Sequence, residues 1–187
     1  MRSRPILLSI LISATIIVTS VFVTNEGKYH LPFDIKYHTL SKSTQKQVDC
    51  LTENILFEAG KESKQGQVAV ALVTLNRVAS GNYANDVCGV VHQKTNGVCQ
   101  FSWVCDTADK PKRLTMMHSS LYNEIRSVAI NVLMNYETMK DITKGATYYH
   151  ADYVNPNWGL PKTTQIGRHI FYKRNGDVRK IDKEIKI

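Results

Sequence analysis

The stretch from Gln65 to Val78, QGQVAVALVTLNRV, carries Val, Ala or Leu on nearly every side of a helix. A helix that is apolar all round has no face for water, so it must run through the middle of a domain with other elements wrapped about it. Two neighbouring patterns supply wrapping. Val48, Leu51, Ile55 and Glu58 recur at steps of three and four, in a helix that Ser43 or Thr44 caps and Gly60 ends. From Ser119 to Tyr136, the residues Leu121, Ile125, Val128, Ala129, Val132, Leu133 and Tyr136 share one helical face. The expected fold is mainly α, in an α+β setting, built around one central buried helix. With 43% apolar residues in distinct blocks, one core and one domain over residues 45–174 is the natural reading.

The remaining segments read as punctuation. Ser80 to Lys112 is rich in Gly, Asn, Asp and Cys, which predicts loops, short helical turns or a small hairpin. Gly145 to His150 and Asn155 to Gly159 read as the irregular wall of a cleft, and Gln165 to Lys173 as a short extended or irregular segment. Residues 175–187 form a polar, basic tail.

Compartment follows from the N-terminus. Arg2 and Arg4 precede Ile6 to Val23, 18 positions without a charge. At about 1.5 Å per residue such a helix just crosses a bilayer core, and positive charge on the short side holds that side in the cytoplasm. Residues 1–24 are therefore expected to be a signal-anchor in the cytoplasmic membrane, 25–44 a linker, and the domain to lie outside. A cleaved signal peptide, giving a secreted protein, is the alternative, although no Ala-x-Ala pattern follows the apolar run. Four cysteines, at 50, 88, 99 and 105, then point to two disulfides, with the pairing open.

A net charge of +8 calls for an anionic partner. No Lys/Arg run of five occurs, so the footprint of a nucleic-acid protein is missing. The six histidines, at 30, 38, 92, 118, 150 and 169, form no H-E-x-x-H, and the cysteines form no C-x-x-C, which argues against zinc. A thiol peptidase from Cys50 or Cys105 with His150 or His169 would need a free cysteine where paired ones are expected. No metal or organic cofactor is called for, and a monomer is expected.

Chemistry concentrates elsewhere. Glu58 sits on an apolar stripe, where burial disfavours the charged form and keeps a proton on the carboxyl, as a glycosidase acid requires. On spacing alone it reads more readily as a helix-end residue reaching solvent. Glu62 and Asp106 are the candidate second carboxylates, although Glu62 also reads as a cap for the next helix. Gln100, Phe101, Ser102 and Trp103, bracketed by Cys99 and Cys105, offer an amide, a hydroxyl and aromatic faces for a sugar, or else fill the core. Tyr148, Tyr149 and His150, with Trp158, form a second aromatic set open to the same two readings.

Leu56-Phe57-Glu58-Ala59-Gly60, Gly66 to Ala71, Leu75-Asn76-Arg77-Val78, Val90-Val91-His92-Gln93, Cys99 to Trp103 with Cys105-Asp106, Gly145 to His150, and Ile166 to Tyr172 occur in this order. Together they resemble the SleB-like cell wall hydrolases, the family of the spore cortex-lytic enzymes, over residues 48–173. The resemblance implies a lysozyme-like, lytic-transglycosylase-like catalytic domain with a long cleft. It implies peptidoglycan as partner, cleavage between N-acetylmuramic acid and N-acetylglucosamine, and Glu58 as the general acid. Where the commonest family pattern has Ala-Arg-Gly-Glu after the glutamate, this chain has Ala59-Gly60-Lys61-Glu62. Three uses stay open: a lytic transglycosylase, as a membrane-held phage endolysin or a resident remodelling enzyme; a muramidase with a second carboxylate; and a wall-binding module without turnover.

Overall fold

A computed structural model describes residues 35–177, which belong to one compact unit. The apolar 65–78 stretch forms α2 (Lys64–Ser80), and every residue from Gly66 to Ser80 is buried. Its first turn is capped by Ser63, whose hydroxyl accepts from the Gly66 amide. It ends at Gly81, whose φ of 71° is a left-handed conformation that a side chain would strain.

Three helices and a sheet cover it. Helix α1 (Lys42–Ala59) and α6 (Ser120–Asn135) pack against α2 and against each other, and the short α3 (Val87–Val91) closes the side between α1 and α2. Leu51, Ile55, Leu72, Leu75, Ile125 and Val128 meet in this core with no exposed surface. The helix expected from Ser119 is capped there, its hydroxyl accepting from the Tyr122 amide. The α1 cap lies earlier than expected: Ser41 accepts from the Thr44 amide, leaving Ser43 and Thr44 inside the first turn. Ile35, Tyr37 and Leu40 already pack on the core, so this part of the expected linker belongs to the domain.

Between α3 and α6 the chain makes a two-residue hairpin, β1 (Lys94–Thr95) and β2 (Val98–Cys99), then α4 (Ser102–Cys105) and α5 (Lys110–Met117). Asn96 and Gly97 turn the hairpin with φ of 52° and 80°, the primed geometry that matches strand twist. The segments expected to be an irregular wall, and the 165–173 stretch expected to be extended or irregular, form a sheet. Strands β3 (Tyr148–Ala151), β4 (Lys162–Ile166) and β5 (His169–Tyr172) pair antiparallel in the order β3-β5-β4. Phe171 and Ile166 press one sheet face onto Ala69 and Val73 of α2. Their period of two is hidden in the sequence because Tyr148, Tyr149 and His150 put rings on both faces, so no polar residue marks the outer one.

The fold also reaches past the expected start of the tail. Asp177 is buried and accepts from Thr147 Oγ1, from Asn82 Nδ2 at 2.8 Å and from Arg174 at 3.0 Å. Residues 6–23 and those beyond 177 lie outside the described residues, among which no helix is long and apolar enough to cross a membrane.

Both disulfides are formed, Cys50–Cys88 and Cys99–Cys105, at sequence separations of 38 and 6. The first ties α1 to α3. Loop-closure entropy assigns it about 4 kcal/mol and the shorter one about 2 kcal/mol. Urea unfolding of the paired Cys→Ala variants should therefore show the larger loss for Cys50 and Cys88. The reverse order would contradict the entropic account.

Candidate active site

Glu58 closes the last turn of α1. Leu56 and Ala59 beside it are buried, while Glu58 itself is half-buried on the wall of a groove of about 350 Å³. The backbone turns away at Gly60, where a Cβ would come 2.4 Å from the Leu56 carbonyl oxygen. A side chain at this position would require the last turn of α1 to shift. The groove runs from Leu56 and Phe57 past Glu58 to Trp103, Arg113 and Met116, joining the end of α1 to α4 and α5. Its size is in the range of ligand clefts.

Burial pushes the Glu58 carboxyl above the ordinary carboxylate range, against an opposing hydrogen bond from Tyr149 and the positive charge of Arg77. The Tyr149 hydroxyl donates to Glu58 Oε2 at 3.0 Å. Burial and the neighbouring Glu58 charge hold that phenol well above its usual pKa, so it remains a donor at any physiological pH. The tyrosine is fixed in turn by β3 pairing and by the rings of His169 and Phe171, at 5.1 and 5.7 Å. Burial lowers the pKa of His169, which leaves a neutral ring there.

Arg77 is the residue to which the sequence reading gave no role. Only 5% exposed on α2, it donates through Nε to the Thr147 carbonyl at 2.7 Å. Its guanidinium lies 5.1 to 5.8 Å from the ring centres of Phe101, Tyr83 and Tyr148. A lone cation inside an apolar helix stripe was the signal available, because a buried charge is kept only where something answers it. Here the answer is a carbonyl, three ring faces and the field of Glu58.

The 99–105 loop divides. Trp103 lines the groove, donates its indole N–H to Asn54 Oδ1 at 3.1 Å and packs on Phe57 with ring centres 4.7 Å apart. Asn54 is fully buried and donates to Thr74 of α2, so Trp103 is anchored to the core through one amide. Phe101, open to a sugar-platform or a core reading, is only 3% exposed and lies in the core under Arg77. Gln100 donates to Thr95 on the hairpin and Ser102 is exposed; neither lines the Glu58 groove.

Glu62 and Asp106 do line it. Each carboxylate also has a structural partner: Glu62 Oε2 accepts from the Arg168 amide at 3.3 Å, and Asp106 Oδ1 from the Ala108 amide at 2.9 Å. Helix α2 is capped by Ser63 and not by Glu62. The second aromatic set is split by the strand. Tyr149 faces the core and Glu58, whereas Tyr148 and His150 take the other side of the strand, where Tyr148 lies between Arg77 and Trp158 and His150 stacks on Tyr172 and meets Trp158. Among the described residues, no three His, Cys, Asp or Glu side chains converge as a metal site would require.

The carboxyl of Glu58 has a folded pKa above its unfolded one. Stability is therefore full below the unfolded value and falls as pH rises towards the folded one. Glu58→Gln should raise the Tm at neutral pH and leave it nearly unchanged near pH 4; an equal effect at both would contradict the buried acid. Tyr149→Phe removes a bond that stabilises the carboxylate, so the pH at which Glu58 loses its proton should move up, read from the alkaline limb of a pH–rate profile.

The chain has relatives in both sequence and structure. The family described as Cell Wall Hydrolase matches residues 61–172, starting just past Glu58 and including Arg77, Trp103 and Tyr149. The spore cortex-lytic enzyme of Bacillus cereus is 28% identical over 137 residues, covering 70% of this chain and 45% of that protein. That of Bacillus subtilis is 29% identical over 128 residues, 65% and 35% of the two chains. The match thus spans less than half the length of these relatives. Among solved structures, the catalytic domain of the germination-specific lytic transglycosylase SleB from Bacillus anthracis aligns with a TM-score of 0.51 at 27% identity, over 72% of this chain and 99% of that one. The Bacillus cereus SleB catalytic domain aligns at 0.50 and 26%, over 75% and 100%. A mainly helical domain with a small sheet, matched in sequence over most of its described length, makes this chain a member of the cell wall hydrolase family and a relative of the SleB catalytic domains.

Proposed function

We propose that the protein is a lytic transglycosylase of peptidoglycan, cutting between N-acetylmuramic acid and N-acetylglucosamine with Glu58 as its one acid and base. The observation that carries this reading is a half-buried carboxyl, its pKa raised by burial and its orientation set by the Tyr149 hydroxyl, on the wall of a groove large enough for sugar rings.

Glu58 gives its proton to the bridging oxygen as that bond breaks and the sugar gains oxocarbenium character. The resulting carboxylate keeps the Tyr149 hydrogen bond, which strengthens as charge develops. It then takes the proton of the muramic acid 6-hydroxyl, whose oxygen closes on C1 to give a 1,6-anhydro end. No water is consumed. A hydrolytic route needs a second carboxylate to activate water, and the two candidates in the groove, Glu62 and Asp106, each accept a backbone amide. The single-carboxylate route needs neither of them.

Two formed disulfides support an oxidising compartment outside the cytoplasm. From sequence alone, residues 6–23 hold the enzyme at the cytoplasmic membrane, in the manner of a phage endolysin kept there until lysis. Membrane depolarisation of cells expressing the chain should then bring prompt lysis, and indifference to it would remove that part of the proposal.

The full chain in detergent should clear isolated sacculi, and Glu58→Gln should lower the rate by at least about 10²-fold, the scale of a lost general acid. Mass spectrometry of the products should give muropeptides lighter by one water than reducing ends. Reducing ends instead would establish hydrolysis. Pelleting with sacculi without clearing by the unsubstituted chain would make it a binding module.

A further inference from the structure

Trp158 differs from Trp103 in how its polar tip is used. The Trp103 indole N–H is donated to Asn54, whereas that of Trp158 has no acceptor among the described residues, and Trp158 is 44% exposed. It stands edge-on to three rings, Tyr148, His150 and Tyr172, with centres 5.4 to 5.9 Å away. His150 is locked among them: Nδ1 bonds the Ala151 carbonyl at 2.9 Å, Nε2 pairs with the Tyr172 hydroxyl at 2.9 Å, and its ring stacks on Tyr172. The indole is therefore held upright by a rigid aromatic bed while one side of it remains open.

Beside it the 155–159 loop closes a recess of about 170 Å³. Left-handed backbone at Asn157 and Gly159, φ of 48° and 64°, folds the loop over, and Asn155 and Asn157 line the recess with amides that bond no other described residue. Pockets for drug-sized ligands run from about 300 Å³ upward, so this recess suits a single ring rather than a strand. No residue lines both it and the Glu58 groove.

We propose that this recess is a second carbohydrate site, taking one N-acetylated sugar ring of the glycan strand against Trp158. The choice of occupant rests on matched chemistry. An apolar C–H face of a pyranose lies on an indole face, and the acetamido and hydroxyl groups need the donors and acceptors that Asn155, Asn157 and the indole N–H leave unused. Because β3 carries Tyr149 to Glu58 on one face and His150 to this recess on the other, the sheet couples a retaining site to the cutting site without sharing residues. The inference rests on the glycan-cleaving reading for its substrate class and deepens it.

The test uses the full chain in detergent, carrying Glu58→Gln and labelled with 5-fluorotryptophan, which gives two fluorine resonances for the two tryptophans. Trp158→Phe assigns them. Titration with the tetramer of N-acetylglucosamine should shift the Trp158 resonance saturably. Asn155→Ala with Asn157→Gly, exposed positions where glycine keeps the left-handed backbone of 157, should weaken that titration about tenfold, as loss of one or two hydrogen bonds does. A Trp158 resonance that stays fixed, whether or not that of Trp103 moves, overturns the proposal, as does an unchanged affinity in the asparagine double variant. The outcome is separable from the catalytic reading. Turnover is scored by Glu58→Gln on sacculi, so either idea can fail while the other stands.

Discussion

The need to hide α2 on every side organises this molecule. A helix buried from Gly66 to Ser80 offers no surface to water, and each remaining element is placed by the part of it that it covers. Helices α1 and α6 take two sides, α3 a third, and the sheet lays Phe171 and Ile166 on Ala69 and Val73. Two polar residues near the end of α2 then convert cover into alignment. Asn76 is bonded to Asp141, Thr143 and Ala146 and accepts from Tyr136, and Arg77 is bonded to Thr147. Both reach the segment leading into β3. The strand that brings Tyr149 to Glu58 is consequently tied to the helix it covers, and the cost of leaving any of these buried groups unpaired resists slippage between them.

The acidity of Glu58 is a balance built from the same parts. Burial among the apolar neighbours of α1 favours the protonated form, while Tyr149 and Arg77 favour the charged one. A carboxyl used first as acid and then as base benefits from both influences, since neither state is so stable that the other is out of reach. Arg77 acts here from beneath, through a cage of three rings, and not as a partner that would hold the carboxylate in a permanent ion pair.

How much of this was written plainly in the chain depends on the kind of signal. The three long helices were legible because their apolar periods run over many residues, and the position of Glu58 on one of those stripes was legible with them. Strand β3 was not, although the 165–173 stretch already read as extended or irregular, because consecutive rings at Tyr148, Tyr149 and His150 erase the contrast between a core face and a solvent face. Phe101 and Trp103 look alike in sequence, yet one lies under Arg77 and the other lines the groove; that distinction comes from packing against Asn54 and Phe57, which local pattern does not encode. Arg77 belongs to a matched motif, but its position beneath the acid emerges only when α2 and β3 are brought together. The disulfide partners likewise needed the fold, since three pairings are compatible with four cysteines.

The alternation within β3 has a bearing on how such a domain tolerates changes in length. Tyr149 and His150 are adjacent in the chain yet serve opposite sides of one thin layer, so inserting or deleting a single residue between Gly145 and Tyr149 would turn the phenol outward and present a different side chain to the acid. The segment from Asp152 to Pro161 is under no such parity rule, because it only has to bring the chain back to the far strand. Related chains should therefore keep the spacing ahead of this tyrosine fixed while the span after it grows or shrinks, and diversity in the surface of that span would accumulate without disturbing the Tyr149–Glu58 contact.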